Sequence, residues 1–186
     1  DLTLGASTIG GALTATAGGT ITLNGNLTAS GAGDAITLSG SRFDNSAAAA
    51  LSTPNGRWLV WSGNPDPFGG ATPDVRGGLA YDFKQYNAIY GTTTVLGAGN
   101  GFLYSLVPTI TPGLTGAASK VYDGNTTAML MAGNFIASGA VDGDTVVLSA
   151  TGATYDNKNV GTGKTVTATG ITASASNGTA TVYGYA

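Results

Sequence analysis

The sequence predicts an all-β fold, and three observations support this prediction. Gly, Ala and Thr supply 31, 28 and 28 of the 186 residues, while only 9% of the residues are charged. Short stretches in which apolar residues alternate with Thr recur between Gly, Asn and Asp, a pattern typical of short strands joined by tight turns. No stretch shows the apolar period of an amphipathic helix. We therefore expect the end of a parallel β-solenoid with an aromatic cap, followed by a small β-sandwich of immunoglobulin-like size.

Residues 1–51 are predicted to form the solenoid rungs. The stretches "DLTLG", "ALTATAGG", "TITLNG", "NLTASGAG" and "AITLSG" begin about six to eleven residues apart, and each ends at Gly or Asn. Turns at this spacing suit the short faces of a parallel solenoid. An antiparallel meander is the alternative, because a two-residue alternation does not give strand direction. The alternation predicts these inward side chains: Leu2, Leu4, Leu13, Ala15, Ile21, Leu23, Leu27, Ile36 and Leu38.

Residues 52–112 differ from the first segment by their large aromatic side chains. Both Trp, four of the eight Tyr and three of the five Phe lie here. A solenoid must cover its open end, so we interpret this segment as an aromatic cap that ends in the linker "VPTITPG". The alternative is a glycan-binding platform of exposed rings. Its candidate residues are Trp58, Trp61, Tyr81, Tyr86 and Tyr90.

Residues 113–186 predict a second all-β domain of about seven or eight short strands separated by turns rich in Asp, Asn and Gly. Its first turn lies in "SKVYDGNTTA", residues 119–128. We expect Val121 and Tyr122 to be the first core contacts of this domain.

The composition argues against several classes of function. The chain contains no His, no Cys and no Glu, so it lacks the commonest general base, the common zinc ligands and a thiol nucleophile. We therefore predict that it is not an enzyme and that it holds no cofactor. The net charge of −3 and the scattered Lys and Arg form no basic patch, which argues against nucleic acid as a partner. No apolar run is long enough for membrane insertion by a helix.

The Asp-rich turns are the strongest candidates for chemistry. Their oxygen atoms could bind Ca²⁺, and the weak candidates are Asp123, Asp142, Asp144 and Asp156. Tight turns also require Asp, Asn and Gly, and this explanation is favoured because the EF-hand spacing is missing. Asp142 and Asp144 are also the one candidate pair for polysaccharide hydrolysis, although nothing nearby in the sequence supplies the Arg or Lys of such a site.

Two modifications are open hypotheses. Asn26, Asn125 and Asn177 each begin an Asn-x-Ser/Thr sequence and are possible glycosylation sites. An isopeptide bond from one of the lysines of the second domain to an Asn would need a buried acid beside it. The sequence identifies no such acid for Lys120, Lys158 or Lys164.

Three segments together resemble a known family. They are "STPNGRWLVWSGNP", "GGLAYDFKQYNAIYG" with "GNGFLYSLVPTIT", and the stretch from "KVYDGNTTA" to "GTGKTVTATGIT". They resemble the filamentous-haemagglutinin-like large exoproteins of Gram-negative bacteria, which are two-partner-secreted adhesins. The last segment is similar to their YDG-type repeat domain, whose signature here is Tyr122, Asp123 and Gly124.

The resemblance implies a structural function. A segment of a secreted or cell-surface adhesin or filament would serve attachment and biofilm formation in a Gram-negative bacterium. Its partners would be other copies of itself or neighbouring domains of the same exoprotein, with host or matrix glycans as further candidates. The family usually continues beyond "TVYGYA" with part of another strand, which predicts an open edge that could accept a strand from a neighbouring molecule. The edge residues are Thr179, Val182, Tyr183 and Tyr185.

Overall fold

The computed structural model describes residues 1–65 and 72–186, and these residues form strands and no α-helix. No helix in this part of the chain is long and apolar enough to cross a bilayer. The all-β prediction is therefore confirmed for the described residues. In chain order the strands are β1 (Leu2–Leu4), β2 (Ser7–Ile9), β3 (Leu13–Thr16), β4 (Thr20–Leu23), β5 (Leu27–Ala29), β6 (Gly33–Ser39), β7 (Arg42–Asp44), β8 (Leu51–Ser52), β9 (Gly56–Ser62), β10 (Phe83–Gln85), β11 (Gly101–Tyr104), β12 (Thr111–Leu114), β13 (Phe135–Ser138), β14 (Thr145–Tyr155), β15 (Val166–Asn177) and β16 (Ala180–Tyr183).

The chain divides into two compact units. Unit 1 contains Asp1–Thr109, Val141–Asp144 and Ser176–Ala186, and unit 2 contains Ile110–Ala140 and Thr145–Ala175. The predicted segments were 1–51, 52–112 and 113–186. The two units differ from these three predicted segments in two ways. The aromatic segment continues the solenoid, and the last strand of the chain belongs to unit 1.

Unit 1 is a parallel β-solenoid of about four turns. One sheet contains β1, β4 and β7, a second contains β2, β5 and β8, and a third contains β3, β6, β9, β11, β10 and β16 in that spatial order. Leu2 lies beside Ile21, and Leu27 lies beside Leu51, so one turn takes 19 to 24 residues. These pairs are parallel, which confirms the solenoid and excludes the antiparallel meander.

The predicted inward side chains form the core of the solenoid. The side chains in the second turn, Ile21, Leu23, Leu27, Ile36 and Leu38, are at most 2% exposed. Ala15 is buried as well, while the apolar side chains of the first turn, Leu2, Leu4 and Leu13, are half-buried. Complete burial of one such aliphatic side chain contributes about 1.5–3 kcal/mol, so this row of residues supplies much of the stability of unit 1.

The aromatic segment forms further strands of the solenoid, which refines the predicted cap. On the inner face, the Trp58 ring meets the Phe102 ring edge-on at a centroid distance of 5.1 Å. The opposite face of the same strands carries a second hydrophobic cluster that contains Trp61, Phe83 and Leu103. Because both faces are covered, these strands tolerate large apolar residues at consecutive positions.

The strands of this segment are not stacked in chain order. Strand β11 lies between β9 and β10, although β10 precedes it in the sequence. A close contact accompanies this arrangement: a Cβ atom added at Gly101 would lie 2.1 Å from the ring of Phe83. Glycine at this position therefore leaves room for the Phe83 ring to lie over residue 101 while β10 and β11 pair.

Unit 2 consists of antiparallel strands. β12 pairs with β13, and a 3₁₀ helix at Ala132–Asn134 precedes β13. β14 and β15 are neighbours that run in opposite directions, and Asp156 N–H donates to the Thr165 carbonyl in the loop between them. Thr127 adds an antiparallel bridge to Thr154 of β14.

Unit 2 buries few apolar side chains. Those of Ala128, Leu148 and Ala153 are buried. Val121 is 89% exposed and Tyr122 is 61% exposed, so the prediction that these two residues make the first core contacts was wrong. The reason is that residues 121 and 122 belong to no strand, and no sheet face therefore covers them.

Candidate functional site

A lysine occupies a position of the solenoid interior where the neighbouring strands carry apolar side chains. In the third sheet, Leu38, Val60 and Phe102 lie beside one another in register, and Lys84 and Val182 continue the same row. The side chain of Lys84 is 0% exposed. A buried ammonium group needs charged or hydrogen-bonding partners, so this position is the first candidate for a functional site.

Two carboxylates from one turn face this ammonium group. Lys84 Nζ lies 2.6 Å from Asp142 Oδ2 and forms a second ion pair with Asp144 Oδ1. The two carboxylate side chains are 10% and 0% exposed, respectively. Asp144 N–H donates to the Val141 carbonyl at 3.0 Å, and Gly143 has a φ of 68°, so "VDGD" forms a tight turn. The turn thereby brings both carboxylates to the same amine.

Two further side chains bind the carboxylates of Asp142 and Asp144. Arg76 Nη2 lies 2.7 Å from Asp142 Oδ1. Asn177 Nδ2 donates to Asp144 Oδ1 and to the Asp142 carbonyl, both at 2.9 Å. Two cations therefore offset two carboxylates. We call the whole group the Lys84 cluster, and its members are Arg76, Tyr81, Lys84, Tyr86, Asp142, Asp144, Asn177 and Tyr185.

Three phenols contribute hydrogen bonds to the Lys84 cluster. The hydroxyls of Tyr86 and Tyr185 donate to Asp144 Oδ2 at 2.8 and 2.9 Å, and that of Tyr81 donates to Asn177 Oδ1 at 2.8 Å. Burial, together with the charge of Asp144, raises the pKa of Tyr86 above its usual value. Burial also raises the pKa of Tyr185 to about 12, with the bond to Asp144 acting in the same direction. These phenols therefore remain protonated hydrogen-bond donors at neutral pH.

The geometry of the Lys84 cluster suits a structural or intramolecular role. All of its members belong to unit 1. The hydrolase hypothesis required Asp142 and Asp144 to face an open groove, but the structure buries both carboxylates against Lys84. A soluble substrate would have to displace these ion pairs to reach them. The contacts instead hold the 141–144 turn and strand β16 against the solenoid.

The calcium candidates are paired with cations. Among residues 1–65 and 72–186 there is no group of three or more Asp carboxylates that could hold a metal ion. Besides the two carboxylates that face Lys84, Asp123 binds Lys120 at 2.7 Å, and Asp156 lies 3.6 Å from Lys164. These contacts support the explanation that the Asp residues are present because tight turns require them.

Comparison with known proteins adds one assignment. Residues 107–183 match the family described as the YDG domain. The chain contains a YDG domain. The match covers all of unit 2 together with the 141–144 turn and strand β16 of unit 1. Comparison with curated proteins and with solved structures gives no match. The YDG domain thus supplies Asp142, Asp144 and Asn177, whereas Lys84 and Arg76 precede it.

The signature of the YDG domain forms a closed turn. Lys120 Nζ donates to Asp123 Oδ1 and Asn125 Oδ1, both at 2.7 Å. The hydrogen bond from Lys120 lowers the pKa of Asp123 below its usual value. Thr127 N–H donates to Asn125 Oδ1 at 2.9 Å, and Gly124 has a φ of 77°. The polar side chains of this motif therefore satisfy one another, as turn-forming residues do.

The structure does not support the glycan-binding platform. Trp58, Trp61 and Tyr86 are 2%, 6% and 1% exposed, so their rings cannot stack on a sugar. Tyr81 is half-buried, and its hydroxyl belongs to the Lys84 cluster. Tyr90 is 40% exposed, but it packs edge-on against Trp61. The platform prediction failed because the strands of the aromatic segment are covered on both faces, which leaves their rings no free surface.

The three possible glycosylation sites differ in their environment. Asn26 and Asn125 are exposed, although their side-chain oxygens accept backbone N–H groups of Ala50 and Thr127, respectively. Asn177 Nδ2 donates two hydrogen bonds in the Lys84 cluster. A glycan on this nitrogen would disrupt these bonds, so Asn177 is a poor acceptor in the folded chain, and the other two sites stay predictions.

The predicted strand-addition residues lie in and beside β16. Phe83 pairs with Thr181, and Gln85 with Tyr183, so β10 occupies one edge of β16. Val182 is 5% exposed, and the Tyr185 hydroxyl belongs to the Lys84 cluster, whereas Thr179 is exposed in the preceding turn. The prediction of an open edge was therefore wrong for the edge of β16 that faces β10, because β16 pairs there with a strand of its own chain.

Sequence reasoning missed Lys84 and Arg76. Lys84 lies 58 residues before Asp142, and Arg76 lies 66 residues before it, so nothing local connects them. One signal was available: in "YDFKQYN" the lysine alternates with Phe83 and Gln85 inside a strand flanked by aromatic residues. A lysine in such a strand indicates a buried partner of opposite charge.

Proposed function

We propose that this chain is a structural, load-bearing segment of a secreted bacterial surface adhesin or filament that serves attachment and biofilm formation. The observation that carries the proposal is the parallel pairing of β16 with β10. The chain leaves unit 1 after Thr109, forms unit 2, and returns to the solenoid sheet with its last strand. The segments before and after unit 2 are thereby tied into one sheet.

This connection would let the segment carry tension. A force applied at Ala186 reaches β16 before it reaches unit 2. It would load the parallel hydrogen bonds between β16 and β10 together, and each such bond contributes about 0.5–1.5 kcal/mol. The Lys84 cluster lies beside these bonds and adds buried ion pairs. The solenoid would therefore resist extension while unit 2 is shielded from the load.

Secretion and partners are part of the same proposal. Their support is the resemblance of three long segments to filamentous-haemagglutinin-like exoproteins, together with the β-solenoid and the YDG domain. Neighbouring domains of the same exoprotein, or other copies of it, would be the partners along the fibre. Host or matrix glycans would be contacted elsewhere on the parent protein.

Growth of a filament by strand addition would take a specific form. Because β10 occupies one edge of β16, molecules would exchange β16 between them, as in domain swapping. Native mass spectrometry at increasing concentration tests this form. Dimers and longer species that disappear when Val182 is replaced by Pro would support it, and a monomer at all concentrations would contradict it.

Single-molecule stretching of the full chain between handles at Asp1 and Ala186 tests the load-bearing proposal. We expect a resolved force peak before any extension of unit 2, and a lower peak in the Lys84→Met variant. Lys158→Met is the matched control because Lys158 is an exposed lysine of unit 2. A first extension step that corresponds to residues 110–175, with the solenoid still folded, would contradict the proposal.

The cellular part is tested in a producing bacterium. Deletion of the coding region for this segment from the parent gene should reduce attachment to surfaces, and protease treatment of intact cells should remove the segment. Retention of the segment inside protease-treated cells would overturn the proposed location.

A further inference from the structure

A lysine amine and an Asp carboxyl group are held in contact inside unit 1, in a largely buried site. Lys84 Nζ lies 2.6 Å from Asp142 Oδ2, and the Lys84 side chain is 0% exposed. We propose that Lys84 and Asp142 condense to form an intramolecular isopeptide bond between Lys84 Nζ and Asp142 Cγ. This inference does not depend on the function proposed above.

The geometry distinguishes Asp142 as the electrophile. Its Oδ1 is bound by the Arg76 guanidinium at 2.7 Å, while its Oδ2 faces the amine. A guanidinium on one carboxyl oxygen withdraws electron density from Cγ and stabilises the negative charge that develops on this oxygen during attack. Asp144 has no such cation on its second oxygen, which accepts two phenol hydroxyls.

Asp144 is placed to move the proton. Its Oδ1 forms an ion pair with Lys84 Nζ, and the Asp144 side chain is 0% exposed. Bonds from Tyr86, Tyr185 and Asn177 hold this carboxylate in position, so it contacts the reacting nitrogen in a fixed geometry. A positioned carboxylate of this kind can accept a proton from the nitrogen and return it to the leaving oxygen.

The reaction balances without an external reagent. One proton passes from the Lys84 ammonium along the 2.6 Å hydrogen bond to Asp142 Oδ2, which leaves an amine and a carboxylic acid. The nitrogen lone pair forms the bond to Cγ while Asp144 accepts a second proton from the nitrogen. Asp144 then donates this proton to Oδ2, the Cγ–Oδ2 bond breaks, and one water molecule leaves. An ammonium and a carboxylate are thereby converted to a neutral amide and water.

The fold favours this condensation in two ways. Holding the two groups in contact replaces a bimolecular reaction by an intramolecular one, for which effective molarities reach about 10⁵–10⁸ M. The product also removes one positive and one negative charge from a buried site, where each charge carries a desolvation cost. Arg76 and Asp144 remain as the opposite charges of the cluster, so the formal charge of the cluster stays balanced.

Intact mass spectrometry of the denatured full chain tests the proposal. We expect a mass lower than that of the sequence by one water. Trypsin should then leave Lys84 uncleaved, with residues 77–120 joined to residues 121–158 in one branched peptide. In Lys84→Arg, which keeps the positive charge without a condensing amine, the full mass should return. Asp144→Asn should slow the loss of water at least tenfold. Asn177→Ala removes one of the bonds that hold Asp144, so it should slow the loss of water by a smaller factor, and the product should still be lighter by one water.

Each alternative has its own signature. Loss of ammonia in place of water, abolished in Asn177→Ala, would assign the bond to Asn177 and overturn the choice of Asp142. A succinimide at Asp142-Gly143 also loses one water, but it would persist in Lys84→Arg and yield no branched peptide. The full, uncondensed mass of the folded wild-type chain would overturn the proposal, whether or not any variant folds.

Discussion

Asp74 provides the sharpest test of the energetics of the solenoid. It lies in unit 1 and is 9% exposed. Its Oδ1 accepts the Phe43 N–H at 2.9 Å, and its Oδ2 accepts the Ser62 hydroxyl at 2.5 Å. Burial raises the pKa of this carboxyl from its usual 3.8 to about 6, although both hydrogen bonds act in the opposite direction. The chain therefore pays a free-energy cost for holding the ionised form at neutral pH.

The sign of the pH dependence follows from linkage. Between pH 3.8 and about 6 the folded chain binds more protons at Asp74 than the unfolded chain does. The contribution of Asp74 to the free energy of unfolding is thus complete below pH 3.8, falls as the pH rises, and is lost above about pH 6. At about 1.36 kcal/mol per pKa unit, the difference amounts to about 3 kcal/mol.

Asp74→Asn removes the ionisation and can keep both hydrogen bonds. The amide oxygen can still accept the Phe43 N–H, and the amide nitrogen can donate to the Ser62 oxygen. We expect the variant to be more stable than the wild type above pH 6, by up to about 3 kcal/mol, and nearly equal to it at pH 3.8.

Urea denaturation of both proteins at pH values from about 3.5 to 8 gives the required difference between two free energies of unfolding. Asp156→Asn is the control, because it makes the same substitution at an exposed carboxyl group of unit 2. The reasoning would be refuted by a variant that is less stable than the wild type at pH 7. A stability difference that does not change between pH 4 and 6 would refute it as well.

Three further predictions concern unit 1. Lys84→Met should lower the free energy of unfolding by about 3–5 kcal/mol in chemical denaturation, because it leaves two buried carboxylates with Arg76 as their one remaining cation. Lys120→Met, in an exposed turn, should lower it by less than about 1 kcal/mol. Gly101→Ala should lower the free energy of unfolding by about 1–3 kcal/mol, because the added Cβ clashes with the Phe83 ring. Gly10→Ala is the control: its Cβ would meet nothing within 4 Å, so the free energy of unfolding should be almost unchanged. Tryptophan emission should be blue-shifted and unchanged by added sugars, and quenching by a sugar would contradict the burial of both tryptophans.

The solenoid could be predicted from sequence because its signal is local. In "TITLNGNLTAS", alternation gives the inward side chains and closely spaced Gly and Asn give the turns. These rules hold within each stretch and repeat from rung to rung. Leu23 and Leu38 were expected inside and are 0% exposed. Strand direction did not follow from the alternation, so the antiparallel meander stayed open until the register was known; the short stretches favoured the parallel solenoid because they leave little room for hairpins.

The aromatic segment was harder to predict because its position depends on contacts that are distant in sequence. The alternation in "GRWLVWS" predicts a strand, but alternation does not tell an end cap from a rung that is covered on both faces. The insertion of β11 between β9 and β10 has no local signature either, since it depends on the fit of Phe83 against Gly101. Packing of this kind is settled only when the whole sheet is assembled.

The two Asp-Gly turns show why the candidate site could not be predicted from composition. "YDGN" and "VDGD" use nearly the same residues, and in both a glycine has positive φ. Asp123 is exposed and finds its cation three residues away, at Lys120. Asp142 and Asp144 are buried and find theirs 58 to 60 residues away, at Lys84. The same turn chemistry therefore serves local closure in one place and long-range attachment in the other.

Because its carboxylates are buried, the "VDGD" turn can be stable only where it meets a buried cation, which here is Lys84. A segment that closed over Lys84 without carboxylates would leave an ammonium group unpaired in the solenoid interior, at a cost of several kcal/mol. "VDGD" avoids this cost, and the phenol of Tyr185, two residues beyond β16, binds the same Asp144. Correct pairing of β16 with β10 and correct seating of the 141–144 turn therefore depend on one another. A register shift of β16 by one residue would separate Tyr185 from Asp144, so the Lys84 cluster specifies the register as well as the partner of the last strand.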